Sequence, residues 1–296
     1  MTDITQKAML AGIQISHWTA RKHDRRISDK VATDHAASPE AGRYNKLLLA
    51  RDTLQDIVKI MNKARSSHYM NTLPWDDEGY RILPAANYLD YMQTMGAFQR
   101  KFEAAVTDFL EHYPTYKEEA RKSLGEMFVE NDYPDPGYLF KKFSFDIRIN
   151  PMPSAEDFRV DLSKAHAEMI KSDIEQRLLE GQKKAMADIW ERIHAAVSKM
   201  KDKLEGFRRN PETNKVEGRF RDTLVTNIQD LVAIMPRLNM TGDPELDLIA
   251  KELANSLCQY DAQTLREDAE LRRKTAAEAD QILQQMAGYV DVGGDE

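Results

Sequence analysis

The chain has one cysteine, Cys258, among 296 residues. A single thiol closes no internal disulfide and completes no zinc ligand set. Glycine and proline are scarce, at 13 and 11 residues. That scarcity favours long helices over many tight turns. No run of about 18 apolar residues occurs, so a membrane-spanning helix is not expected. Residues 1–9 are polar and lack the basic start and apolar stretch of a signal peptide. A cytoplasmic location is therefore expected. The sequon Asn239-Met240-Thr241 then carries no meaning. Basic excess is missing too: the formal net charge is -7, which argues against wholesale nucleic-acid binding while leaving room for local patches.

Signatures of chemistry are also wanting. There is no G-x-x-x-x-G-K-[ST], no G-x-G-x-x-G and no G-x-S-x-G. The histidines at 17, 23, 35, 68, 112, 166 and 194 are scattered and form no metal-binding spacing. Asp76-Asp77-Glu78 follows Trp75; such a triplet can hold a hard cation, but solvation or helix capping is its usual role. Cys258 lies beside Leu257 and Tyr260 and reads as a buried, inert thiol. The expectation is a protein that is not an enzyme and has no cofactor and no metal.

What is present is hydrophobic periodicity. Ile13 and Ile15 alternate with polar neighbours, as in a half-buried strand. Residues 31–43 read as a loop. A helix is predicted over 44–65, with Leu47, Leu54, Ile57, Val58, Met61 and Ala64 on one stripe. A long connection, 66–85, precedes a central helix over 86–112 that carries Tyr88, Leu89, Met92, Met95, Phe98, Phe102, Val106 and Phe109. Pro114 is predicted to end it. A shorter helix over 116–130 and a turn at 132–137 follow. Phe143, Phe145, Ile147 and Ile149 then alternate strictly with polar residues, the clearest strand in the chain, stopped by Pro151 and Pro153. A lone strand leaves its backbone unpaired, so this one is expected to share a small sheet with the strand at Ile13.

Beyond Pro153 the character changes. Residues 161–207 predict one long helix, with a seam at Met186, Trp190, Ile193, Val197, Met200, Leu204 and Phe207 that is poor between Ser172 and Lys183. A hairpin-like loop (208–218) and helices over 220–235, 244–260 and 262–289 follow. Leu265, Ala269, Arg272, Ala276, Ala279, Leu283, Met286 and Val290 form a second seam of smaller residues. The two seams are expected to pack antiparallel within the chain; their other use would be a coiled-coil interface in a homo-oligomer. The fold class is mainly α. An N-terminal α+β domain (1–153) holds a small sheet, a helical domain (154–290) has long antiparallel helices, and 291–296 form a disordered tail.

The polar feature that stands out is the stretch Arg21, Lys22, Arg25 and Arg26 next to Trp18. Cations of this kind grip phosphates while an indole stacks on a base. A second basic group is Arg208, Arg209, Lys215, Arg219 and Arg221. Both suit a phosphate or an acidic partner, although a solvated surface is the commoner role of such stretches.

The run Ile13-x-Ile15-x-x-Trp18-x-Ala-Arg-Lys22 with Asp24 resembles the start of the domain of unknown function 3150 family. Leu83-Pro84, Phe98-x-x-x-Phe102, Phe109-Leu-x-x-Tyr113 and the strand from Phe143 to Ile149 extend the resemblance over most of the chain. Thr19-Ala20 stands where a more glycine-containing turn is expected. The resemblance implies a bacterial or phage protein whose relatives accompany MoxR-type AAA+ ATPases and von Willebrand factor A domain proteins. It carries over no catalytic residues. A phage or mobile-element origin fits the resemblance. The absence of a catalytic constellation together with the long charge-rich helices gives the expectation of a protein-interaction module, an adaptor of such an ATPase or an inhibitor of a host defence complex. Nucleic-acid binding through Trp18 and the Arg21–Arg26 stretch is the alternative.

Overall fold

The computed structural model describes residues 4–76, 79–155, 163–209, 216–218 and 220–290. In chain order the elements are α1 (Ile4–Lys7), β1 (Ala8–Ser16), β2 (Arg21–His23), α2 (Arg25–Asp34), β3 (Asn45–Leu47), α3 (Gln55–Asn71), β4 (Leu73–Pro74), β5 (Arg81–Pro84) and α4 (Tyr88–Leu124). There follow α5 (Pro136–Phe140), β6 (Ser144–Pro151), α6 (Lys164–Glu205), β7 (Arg208–Arg209), β8 (Val216–Glu217), α7 (Thr223–Leu238), α8 (Pro244–Ser256), α9 (Ala262–Glu267) and α10 (Ala269–Val290). The protein is mainly α, with a four-stranded sheet in the order β4-β5-β1-β6. The strands expected at Ile13 and Phe145 are neighbours in that sheet.

The chain divides into two units that interleave. One comprises residues 1–12, 69–91 and 149–296; the other comprises 13–68 and 92–148. The composition change at Pro151–Pro153 lies near one crossing, between Arg148 and Ile149. The other three crossings fall inside β1, α3 and α4. A regular element carries no composition break at such a point, so periodicity alone suggests contiguous halves.

In the first unit, β1 and β5 pair antiparallel, Ala8 opposite Pro84 and Ala11 opposite Arg81. Here α6 and α10 form the main helix pair. Trp190 stacks on Tyr289 with ring centroids 4.4 Å apart, Lys201 Nζ reaches Asp280 Oδ1 at 2.5 Å, and Arg272 lies 4.9 Å over the Phe207 ring. One set of numbers rises as the other falls, so the helices are antiparallel. Ile193, Met200, Ala279 and Met286 are fully buried between and around them. The seams are therefore intramolecular core. Ala276 and Ala279 allow the close approach that the bulkier α6 side chains need. The single helix expected over 262–289 is broken: Asp268 follows α9 and accepts from the N–H groups of Glu270 and Leu271 at the start of α10, and Ala269 is exposed. Buried Arg272 donates to the Leu265 and Arg266 carbonyls, which closes the end of α9.

In the second unit, α4 supplies an aromatic core. Phe102, Phe109 and Tyr113 are buried with Phe143 and Phe145 of the β6 region. Ser16 Oγ and Ser144 Oγ are 2.8 Å apart, and Arg148 donates to Gln14 Oε1 at 2.5 Å where β1 and β6 run side by side. On α3, Ile57, Met61, Ala64 and His68 form the buried stripe.

Several expectations need correction. Pro114 does not end the central helix; α4 continues to Leu124. An internal proline costs about 3 kcal/mol. Burial of Tyr113 and Ala120 on either side offsets it. Pro236 likewise sits inside α7, whose next turn buries Leu238 completely. The predicted helix over 44–65 begins only at Gln55, because residues 45–47 pair with β2 instead. Leu89, assigned to the core face of α4, is 78% exposed, and Tyr91 takes that place. The supposed loop over 31–43 opens with the last turn of α2. Residues 208–209 and 216–217 of the supposed loop form a two-stranded ribbon. The tail 291–296 lies outside the described residues.

Candidate functional site

The first basic stretch is carried by an arm. Ala20 turns the chain out of β1 at a φ of 50°, and β2 pairs with β3 antiparallel, Lys22 opposite Lys46. Between them stands α2. Asp24 caps it, accepting from the Ile27 N–H at 3.2 Å. Ser28 Oγ donates to the Asp24 carbonyl and accepts from the Tyr44 N–H, which ties the returning loop to the helix. The arm is fixed at its root by Lys46, only 3% exposed. Its ammonium reaches Asp132 Oδ2 at 2.7 Å, Asp24 Oδ2 at 3.6 Å and the Met127 carbonyl at 2.8 Å. Tyr133 adds a hydrogen bond to the Leu48 carbonyl at 2.7 Å.

No residue of α2 is fully buried. Lys22 is 3.6 Å from Asp132, and Arg25 is 3.9 Å from Asp29. Arg21, Arg26, Lys30 and Arg43 have no ion pair among the described residues. Arg21 and Lys22 thus lie on β2, and Arg25 and Arg26 open α2, all four exposed on the arm.

Trp18 is placed differently. Its indole is half-buried, 6.0 Å from the Tyr113 ring and 6.4 Å from Phe109. It packs the root of the arm, and its neighbours leave it poorly placed to stack on a base. The second basic group belongs to the other unit. Arg208 and Arg221 are exposed, and Arg209 lies on β7. Lys215 and Arg219 lie outside the described residues.

A short helix, α5, begins within the turn predicted at 132–137, in a segment joined to the arm through Asp132. In α5, Asp135 accepts from the Gly137 N–H at 2.9 Å and Pro136 occupies the first turn. Leu139 anchors the helix at 0% exposure, while Tyr138 and Phe140 are 55% and 59% exposed. Lys142 Nζ stands 4.8 Å over the Tyr138 ring. The segments that flank α5 are held beside residues 16–22 and the ring packed on them. Ser16 Oγ donates to the Lys142 carbonyl at 3.3 Å, Tyr113 OH donates to the Pro134 carbonyl under the Trp18 ring, and Asp132 meets Lys22. The available signal was two aromatics flanking a leucine, followed by Lys141-Lys142, directly after the turn residues.

The long helix α6 has two halves. From Lys164 to Glu180 no side chain is fully buried; the first buried position is Gly181. Ala167, Ile170, Ile174 and Leu178 are half-buried at helical spacing, and Met169 is 66% exposed. This agrees with the weak seam between Ser172 and Lys183. At Gly181 the Trp75 ring lies against the helix so closely that an added Cβ would overlap it.

Titratable groups elsewhere have structural roles. Arg192 donates to the Met70 and Thr72 carbonyls, and Arg81 to Thr72 Oγ1 at 2.9 Å. Arg192 thereby caps the last turn of α3, and Arg81 holds the residue that follows it. Burial, aided by Arg65, lowers the His17 pKa below its ordinary 6.5. Burial raises that of the Cys258 thiol. Among the described residues no group of three His, Cys, Asp or Glu is placed to hold a metal ion, and no helix is long and apolar enough to cross a membrane. Asp77 and Glu78 of the acidic triplet lie outside the described residues. No family model, curated protein or solved structure matches this chain.

Proposed function

We propose that the chain is a non-enzymatic interaction module, an adaptor that docks a protein partner along the first half of α6. The observation that carries this reading is the break in burial at Gly181. Before it, Ala167, Ile170 and Ile174 repeat at three- and four-residue spacing without any of them being fully buried, and only at Leu178 does the stripe begin to pack on the chain's own core. Such a stripe suits helix-in-groove or helix-pair recognition. Its polar flanks, with Arg177 paired to Asp173 at 3.1 Å and Gln176 donating to Glu180, keep the helix formed in water.

The resemblance to the domain of unknown function 3150 family supports a MoxR-type AAA+ ATPase as the partner. Inhibition of a host defence complex by a phage-encoded or mobile-element protein is the related role. The test mixes the purified chain with a MoxR-type ATPase from the same genome and measures the complex by size exclusion with light scattering. A complex that forms with the native chain and is lost in an Ile170→Asp/Ile174→Asp variant of unchanged circular dichroism supports the reading. No complex with the native chain, or equal complex with the variant, overturns it. An ATPase rate measured on the same mixture separates an adaptor from an inhibitor.

A further inference from the structure

We infer that α5 and the basic arm together form a contact for single-stranded nucleic acid, in which Tyr138 and Phe140 receive bases while Arg21, Arg26, Lys30 and Lys141 take phosphates. This goes beyond the docking of a protein on α6 and uses residues of the other unit.

The rings come first. A small helix that buries Leu139 completely has the means to hide a neighbouring ring as well, yet both neighbours are more than half exposed. Successive helical positions are about 100° apart, so Tyr138 and Phe140 leave the helix on opposite sides of the anchored leucine. They make two separate platforms rather than one stacked pair. Lys142 covers one face of Tyr138 and adds positive charge to it. Stacking on an aromatic side chain is worth about 1–3 kcal/mol per base and tolerates any sequence. An unstacked strand offers its bases to such rings; a duplex keeps them inside. A flat lipid surface is a poorer fit, because two rings that diverge from one turn of helix do not dip into one plane together.

The charges are the second observation. Residues 21–30 hold five cations and two acids, in a chain whose net charge is -7. Neither acid opposes an anion from outside: Asp24 caps α2 and faces Lys46, and Asp29 faces Arg25. Arg21, Arg26, Lys30 and Lys141 have no ion pair among the described residues. These four cations are exposed, which leaves their charge open to solvent.

Adjacency is the third. The contacts of Ser16 with Lys142, of Tyr113 with Pro134 and of Lys22 with Asp132 tie both flanks of α5 to the segment that leads into the arm and to the ring beside Trp18. Trp18 thus has a positioning role: it packs the joint between the aromatic platforms and the cations, and the stacking falls to Tyr138 and Phe140.

The experiment uses the full chain and a fluorescein-labelled oligothymidine of about 20 nucleotides, read by anisotropy over a potassium chloride series. Binding to the single strand is expected, tighter than to a duplex of equal length. With about four phosphates neutralised, the slope of log K against log salt should be near -3. Tyr138→Ala/Phe140→Ala should weaken binding about 30-fold or more at an unchanged slope, the loss expected from two stacked bases. Arg21→Ala/Arg26→Ala/Lys30→Ala should flatten the slope by about 2. All five positions are exposed, so circular dichroism should be unchanged in both variants. The Ile170→Asp/Ile174→Asp variant should bind the oligonucleotide normally, which separates this site from the docking helix. No binding at low salt, equal affinity for the duplex, or full affinity in the aromatic variant overturns the inference. So does binding confined to phosphatidylserine vesicles in a parallel sedimentation assay.

Discussion

Replacing Lys46 by methionine removes the charge at the root of the arm and keeps most of the side-chain volume. The ammonium is 3% exposed and lies 2.7 Å from Asp132 Oδ2 and 3.6 Å from Asp24 Oδ2. At an effective dielectric of about 20 these separations correspond to about 6 and about 5 kcal/mol of attraction. Desolvating the three charges costs several kcal/mol each, so the intact cluster contributes far less than the gross sum. Removing one partner is a different matter. It leaves two carboxylates, each with a side chain only 11% exposed, facing each other without their cation. Lys22, 3.6 Å from Asp132 and 55% exposed, recovers about 1 kcal/mol at most. The expected loss for Lys46→Met is about 3–5 kcal/mol. The assay is urea unfolding followed by Trp18 fluorescence in a Trp75→Phe/Trp190→Phe background. Trp18 sits at the arm's root, so its signal reports the right unit. Asp132→Asn and the Lys46→Met/Asp132→Asn double variant complete a cycle, and the double variant should lose less than the two singles added together. A loss below about 1 kcal/mol, or a cycle without coupling, would refute the view that this cluster fixes the arm.

In the α6–α10 seam, Met200→Ala should cost about 2–5 kcal/mol by chemical denaturation, since Met200 is fully buried; a loss like that of a surface residue would contradict the packing. Gly181→Ala should destabilise the chain, although the same exchange in an open helix gains about 1 kcal/mol, because the methyl group overlaps the Trp75 ring. A gain in thermal midpoint would show that ring to lie elsewhere. His17 has a folded pKa below 6.5, so the unfolded chain takes the proton first as pH falls. Its stabilising contribution is therefore complete above 6.5 and is lost as pH falls through the folded value. A His17→Gln variant should show a flatter decline of stability on acidification from pH 7, and equal slopes would count against that assignment.

Much of the fold was legible because periodicity reports burial. Trp190, Ile193, Val197, Met200 and Leu204 were readable as a seam, and they are buried against α10. The strand from Phe143 to Ile149 showed its alternation and its need for a partner. The errors share one cause: local rules yielded to packing. Pro114 and Pro236 break isolated helices, yet neighbouring buried side chains hold α4 and α7 together. The strands β3, β4 and β5 span two to four residues, too short for a period to appear. The candidate site was half legible. The cations were visible as a cluster in sequence. The burial of Trp18 was not, because it depends on Tyr113 and Phe109, which lie far along the chain. The exposure of Tyr138 and Phe140 was hidden for the converse reason, since aromatic residues beside a leucine usually read as core.

The interleaving of the units sets an order on synthesis. Ile4, Ala8 and Leu10 belong to the same buried cluster as Ile228, Leu253 and Met286, and Lys7 Nζ reaches the Met240 carbonyl at 3.3 Å. Those partners emerge from the ribosome last. Residues 13–148, apart from the excursion at 69–91, make up the other unit and are complete far sooner. At about 5–20 residues per second, the start of the chain waits about 15–55 seconds for its core to be complete. Through that interval the first half of β1 has its sheet partner β5 but none of the late helices that cover it, while the second half already runs beside β6. A stop codon anywhere in the last third would therefore strand the N-terminus as well as remove the C-terminus, and the nascent chain is where this protein is most open to chaperones and proteases.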